Sequence, residues 1–252
     1  TKHVAEPLNA LQHKVALSAD DYGLAPGIGF AIRDLAVAGR LNATSCMTTG
    51  PHWPAEAALL RAVAPPIFEV GLHLVLTDQP CITKMPLLAP DGRLPALPAL
   101  IKQAMRGRLE TAEITAEVQA QLDCFEAAWG RPPDFLDGHH HVHQLPMIRD
   151  IVLAAYSARL ANHGAWLRRC TQPLSAIVRN RSSVVRAIII SLLGVRFKAL
   201  ADRAGIPGNR CFAGVRGFAG EPPYDELMRR WLSGAGAGTL IMCHPGLVDD
   251  AL

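Results

Sequence analysis

The stretch "KVALSADDYGLAPGIGFAIRDLAVAG", residues 14–39, sets the pattern from which the fold is read. Its opening, "KVALSAD" (14–20), is a short apolar strand ending in polar residues, and "GFAIRDLAVAG" (29–39) reads as a helix. The same order returns along the chain. Strands are expected at "ATSCMTT" (43–49), "FEVGLHLVL" (68–76), "DFLDGHH" (134–140), "AWLRR" (165–169), weakly around Phe218, and at "TLIMCHP" (239–245). Helical patterns fall at 54–64, 110–130, 145–161, in a basic apolar stretch running to about Arg203, and at 223–234. Strands alternating with helices argue for βαβ units and a parallel sheet. About seven strands favour a closed or nearly closed (β/α) barrel over an open sheet. The expected unit is one domain over 1–252, with 1–13 as an N-terminal extension. Pro and Gly concentrate at 77–98, which reads as a long loop bordering a site.

Composition narrows the function classes. The net charge is +3 and only 19% of residues are charged, with Lys and Arg scattered along the chain. Nucleic-acid binding would want a concentrated basic face, so no nucleic-acid partner is expected. The six cysteines (46, 81, 124, 170, 211, 243) form no CxxC pair, which removes local support for a cysteine-based zinc site. Cysteines so dispersed read as reduced thiols in the cytosol. "TKHVAEPLNALQHK" lacks the apolar core of a signal peptide. "VVRAIIISLLGV" (184–195) is too short to span a bilayer and contains Arg186, so it reads as a buried amphipathic helix. A cytoplasmic protein without a membrane span is the expectation.

The chemistry-bearing residues recur at strand ends. "SADDYG" closes the first strand, "GLHL" lies in the third, "LDGHHHVH" ends the fourth and "MCHPG" ends the last. Ligands of barrels and open α/β sheets bind at the carboxyl ends of the strands, so these motifs would meet. Successive side chains of a regular strand face opposite ways. Asp20 and Asp21 can therefore converge only where the strand gives way to a loop, and "DDYG" is expected to be that exit. One acid could then bind a metal while the other accepts a proton. Along an extended chain His139 to His143 would span about 13 Å. Metal–nitrogen bonds of about 2.1 Å cannot bridge that. The run should supply one ligand, with its other histidines facing substrate or orienting the ligands.

In this order, "ALSADDYGL", "VGLHLVLT", "MPLLAPDGRL", "DFLDGHHHVHQLP", "LRR" and "IMCHPG" resemble the YdjC-like (ChbG/HpnK) family of carbohydrate deacetylases, over about residues 14–250. The resemblance implies a distorted TIM-like (β/α) barrel related to other polysaccharide deacetylases. It implies a hydrolase that removes acetyl groups from N-acetylated sugars such as chitooligosaccharides. Carried over residue by residue, it implies a metal held by Asp21, His73 and His139. Asp20 would be the general base and His244 the general acid or oxyanion partner. Arg168 would face the substrate pocket, with His141 and His143 near it. The resembled family continues past "CHPG" with a further helical segment, whereas this sequence stops at Leu252, so that closing helix is expected to be absent or replaced. The ion expected is divalent, zinc first and magnesium also open, because imidazoles favour transition ions. A homodimer stays open as the assembly. The competing readings are a metal-dependent barrel enzyme of another reaction type and a non-catalytic metal- or sugar-binding protein.

Overall fold

The computed structural model describes residues 15–217 and 221–248. Seven strands are β1 (Val15–Tyr22), β2 (Ala43–Cys46), β3 (Glu69–Leu74), β4 (Phe135–Gly138), β5 (Trp166–Leu167), β6 (Cys211–Ala213) and β7 (Thr239–Cys243). All pair in parallel, in the order β5-β4-β3-β2-β1-β7-β6. Helices connect them: α1 (Pro26–Val37), α2 (Trp53–Val63), α3 (Leu97–Met105), α4 (Thr111–Trp129), α5 (Ile148–Ala155), α6 (Leu174–Asn180), α7 (Val184–Arg203) and α8 (Tyr224–Gly234). Every residue of β2, β4 and β7 is buried, as expected of parallel strands covered on both faces.

The sheet curls into a distorted barrel. Its edge strands are too short to pair fully, and the gap is bridged by a side chain together with two backbone hydrogen bonds. Buried Asn209 presents its amide like a peptide unit: Oδ1 accepts from Arg169 N (2.8 Å), and Nδ2 donates to the carbonyls of Arg169 (2.8 Å) and Cys211 (2.9 Å). Leu167 N donates to Pro207 O, and Phe212 N to Thr171 O, on either side of it. Phe135 and Trp166 stack at 4.4 Å in a cluster with Ala16, Phe212 and Leu240. Gly71 leaves room for this stack, because a Cβ there would sit 2.5 Å from the Phe135 ring.

Several expectations are corrected. The Pro/Gly-rich loop begins and ends two residues earlier than expected and runs into α3. It is tied down from α4, where Glu117 accepts from the backbone of Ile82 and Thr83 and Glu113 from Leu87 and Leu88. The long basic helical stretch divides at Arg181 and Ser183, both with positive φ. α7 buries Ala187, Ile190 and Gly194 but leaves Val185, Ile189, Leu192 and Val195 exposed, so only one side of it is buried. The weak strand near Phe218 and the 1–13 extension lie outside the described residues, and the sixth strand is Cys211–Ala213. Among the described residues, no helix is long and apolar enough to cross a membrane.

Candidate functional site

Asp20 and Asp21 reach the same end of the barrel by a bulge rather than by the strand stopping. β1 continues to Tyr22, but its register against β2 slips between Ala19 and Tyr22, and Asp21 takes a left-handed φ of 68°. Asp tolerates that conformation better than most residues. The slip cancels the alternation that would otherwise send the two carboxylates to opposite faces.

Around Asp21 three histidines gather. His73 Nε2 lies 3.3 Å and His139 Nδ1 3.1 Å from Asp21 Oδ1, and His244 Nε2 is 3.9 Å from Oδ2. The other nitrogen of His73 is 2.6 Å from Asp137 Oδ1 on the neighbouring strand, where the register pairs His73 with Asp137. Behind these groups sits Arg168. Its guanidinium grips Asp20 with two contacts of 2.6 and 2.7 Å, and it lies 2.6 Å from Asp137 and 2.9 Å from Ser18 Oγ. Ser45 Oγ donates to Asp20 at 3.2 Å and lies 3.0 Å from His73 Nδ1.

Electrostatics follow from burial and pairing. Burial alone would raise the Asp20 pKa, but the Arg168 guanidinium outweighs it and brings the carboxyl down to about 2. Burial likewise opposes ionisation of Asp21, and hydrogen bonds from His139 and His73 hold it well below the usual carboxylate range. For His73, burial disfavours the cation, yet Asp137 beside it, with Asp21, raises the imidazole to about 10.

The histidine run is not extended. Residues His139–Gln144 form a tight turn in which His140 and His141 have positive φ, so the four rings do not share one face: those of His139 and His140 stay 3.9 Å apart while His141 and His143 turn elsewhere. His139 alone meets Asp21 and His73. His140 Nδ1 lies 3.0 Å from Thr77 Oγ1. His141 sits against Cys170 Sγ at 3.4 Å and lines the cavity. His143 is fully buried, 3.0 Å from the Arg168 carbonyl, and does not line it. Burial pushes His140 and His143 down to about 4.

The cavity above these groups measures about 280 Å³. Asp20, Asp21, His73 and His139 form part of its lining, and Arg186, Ile190, Arg216 and Tyr224 supply much of the rest. Arg168, expected at the pocket, is fully buried behind the carboxylates and does not line it. None of residues 77–98 lines it, but the loop borders the site through Thr77 and Asp78, which stand against the cavity residue His140. Asp137, Ser45 and the two cavity arginines escaped the sequence reading. Asp137 did carry a signal, standing at a strand end as Asp20 does.

The donor chemistry fits a divalent metal. One ligand atom from each of Asp21, His73 and His139 lies within 4.8 Å of the others. Asp137 behind His73 provides the carboxylate–imidazole arrangement that orients metal-binding histidines. Asp20, His73 and Asp137 are equally close, but Arg168 already neutralises both of those carboxylates.

A family model described as YdjC-like protein matches residues 14–252. The chain is 29% identical over 246 residues to the chitooligosaccharide deacetylase of Klebsiella pneumoniae (strain 342), covering 96% of this chain and 85% of that protein. It is 37% identical over 145 residues to the chitooligosaccharide deacetylase of Yersinia pestis (strain Pestoides F), a match covering 57% of this chain and 56% of the relative. The crystal structure of a proposed cellobiose-phosphate cleavage protein from Enterococcus faecalis V583 superposes with a TM-score of 0.70 at 19% identity, over 96% of this chain and 84% of that one. That likeness is one of fold.

Proposed function

Because the chain belongs to the YdjC-like protein family, we propose that it is a metal-dependent N-deacetylase of an acetylated sugar, a chitooligosaccharide or a related glycan. Two relatives are chitooligosaccharide deacetylases, and the cluster of Asp21, His73 and His139 carries the metal part of the reading. These three residues would hold a divalent ion, zinc first, with Asp137 fixing the ring of His73. Such an ion, when bound, supplies Lewis-acid polarisation of the acetamide carbonyl and lowers the pKa of water.

The chain's own residues move the protons. Asp20 is ionised throughout the working pH range because Arg168 and Ser45 stabilise its charge. It takes the proton from the attacking water as general base. His244 follows β7, is half-exposed, and lies near Asp21 at the cavity. Its ring N–H donates to the departing amine as general acid. Arg168 acts through Asp20 rather than on the substrate. His141 faces the bound sugar from the cavity wall.

The test is acetate release from N-acetylated chitooligosaccharides, with and without a chelator. Release that stops on chelation and returns with zinc is the expected result. Release unaffected by exhaustive chelation would remove the metal from the reaction, and no release from any N-acetylated sugar would remove the substrate class.

A further inference from the structure

Six of the eighteen large apolar side chains that are exposed among the described residues fall within 174–195: Leu174, Val178, Val185, Ile189, Leu192 and Val195. Val185, Ile189 and Leu192 stand at i, i+4 and i+7, on one face of α7. The other side of α7 packs inward through Ala187, Ile190, Gly194 and Phe197. Leu174 and Val178, one turn apart, belong to α6, which packs against α7.

Along the sequence this region carries cations only; in space Lys198 pairs with Asp202 and Glu221 accepts from Ser183 at the start of α7, which leaves the arginines as its free positive charge among the described residues. From Gln172 to Ala201 there are four arginines (179, 181, 186, 196) and Lys198, with no Asp or Glu. Arg179, Arg181, Arg186 and Arg196 are exposed. An apolar strip rimmed by cations is the composition of a helix that lies in a membrane interface. A second copy of the same face would set cations against cations. An anionic lipid surface satisfies both components, apolar contact below and negative charge around. The same helix also lines the cavity, through Arg186 and Ile190.

We propose that the α6–α7 face docks on an anionic phospholipid surface and holds the cavity beside that surface. The docking is peripheral, since no described helix is built to span a bilayer. It goes beyond the deacetylase reading and does not depend on it.

Flotation of the whole chain with phosphatidylcholine vesicles, with and without phosphatidylglycerol, tests this. Co-flotation with the anionic vesicles, reduced by high salt, is expected. Arg181→Gln and Arg196→Gln should each weaken the partition roughly fivefold. The Val185→Ser/Leu192→Ser pair should weaken it further. All four side chains are exposed, so thermal unfolding and acetate release from a soluble N-acetylated sugar should be unchanged. Absence of co-flotation, or variants that float like the parent, would overturn the proposal. So would a dimer in sedimentation that Leu192→Ser splits, because the face would then be a self-interface.

Discussion

At the scale of single residues, the site turns on what stands behind each ligand. His73 carries a carboxylate on both nitrogens, Asp21 at 3.3 Å and Asp137 at 2.6 Å, and is therefore protonated near neutrality in the metal-free chain. A metal requires the neutral ring, so loading must expel that proton. Titrating zinc into the metal-free protein at pH 7 in buffers of different ionisation enthalpy should show about one proton released per ion. A heat independent of buffer would contradict the protonated His73. Asp137→Asn should leave the three ligands in place yet weaken zinc by roughly 10- to 100-fold in a competition with a chelating indicator. Asp20→Asn should retain zinc and lose turnover, because its hydrogen bonds are with Arg168 and Ser45 and not with the metal ligands. Asp20, Asp21, His73 and His139 were legible because they stand at strand ends in sequence. Asp137 stands at a strand end too, but its role behind His73 rests on the β3–β4 register, which the strand pattern alone does not give.

At the scale of elements, sequence patterns give six of the seven strands and most helices, but not what they bury. "AWLRR" reads as five strand residues, yet β5 has two, and Arg168 immediately after it turns inward. A guanidinium with no exposed surface is unexpected from composition, since arginine is rarely buried unless paired. Here it is shared by Asp20 and Asp137. Removing it would strand two buried carboxylates, so Arg168→Met should cost about 3–5 kcal/mol in urea unfolding. A loss under about 1 kcal/mol would mean that water already solvates the pair. The glycine in "VGLHL" has an equally specific cause across strands. Gly71→Ala would drive a methyl into the Phe135 ring, and overpacking of that kind costs about 1–3 kcal/mol. The same measurement should register it, with the Phe135–Trp166 stack displaced.

For the whole molecule, alternation of strands and helices predicts the barrel, but its closure is invisible to that argument. The β5–β6 gap depends on Asn209, which resembles any polar loop residue in sequence. The barrel also buries titratable groups of opposite tendency, and this shapes its response to pH. His143 is held down to about 4 by burial, so between pH 6.5 and 4 the unfolded chain takes up a proton that the folded chain refuses. Stability falls with acid through that window by up to about 3 kcal/mol. His141, also buried and lowered, deepens the loss. His73 works the other way. Its pKa is raised to about 10 chiefly because Asp137 outweighs burial, so its contribution is full below pH 6.5 and disappears as pH rises through 10. Asp20, near 2, loses its contribution only below the ordinary carboxylate range. The metal-free chain should therefore be most stable near pH 6.5 and weaken on both sides. Denaturant midpoints at pH 4.5, 6.5 and 9, taken in chelator, would show the maximum. His143→Gln should make only the acid limb shallower, whereas a midpoint that climbs from pH 6.5 to 9 would mean that His73 is neutral in the folded chain.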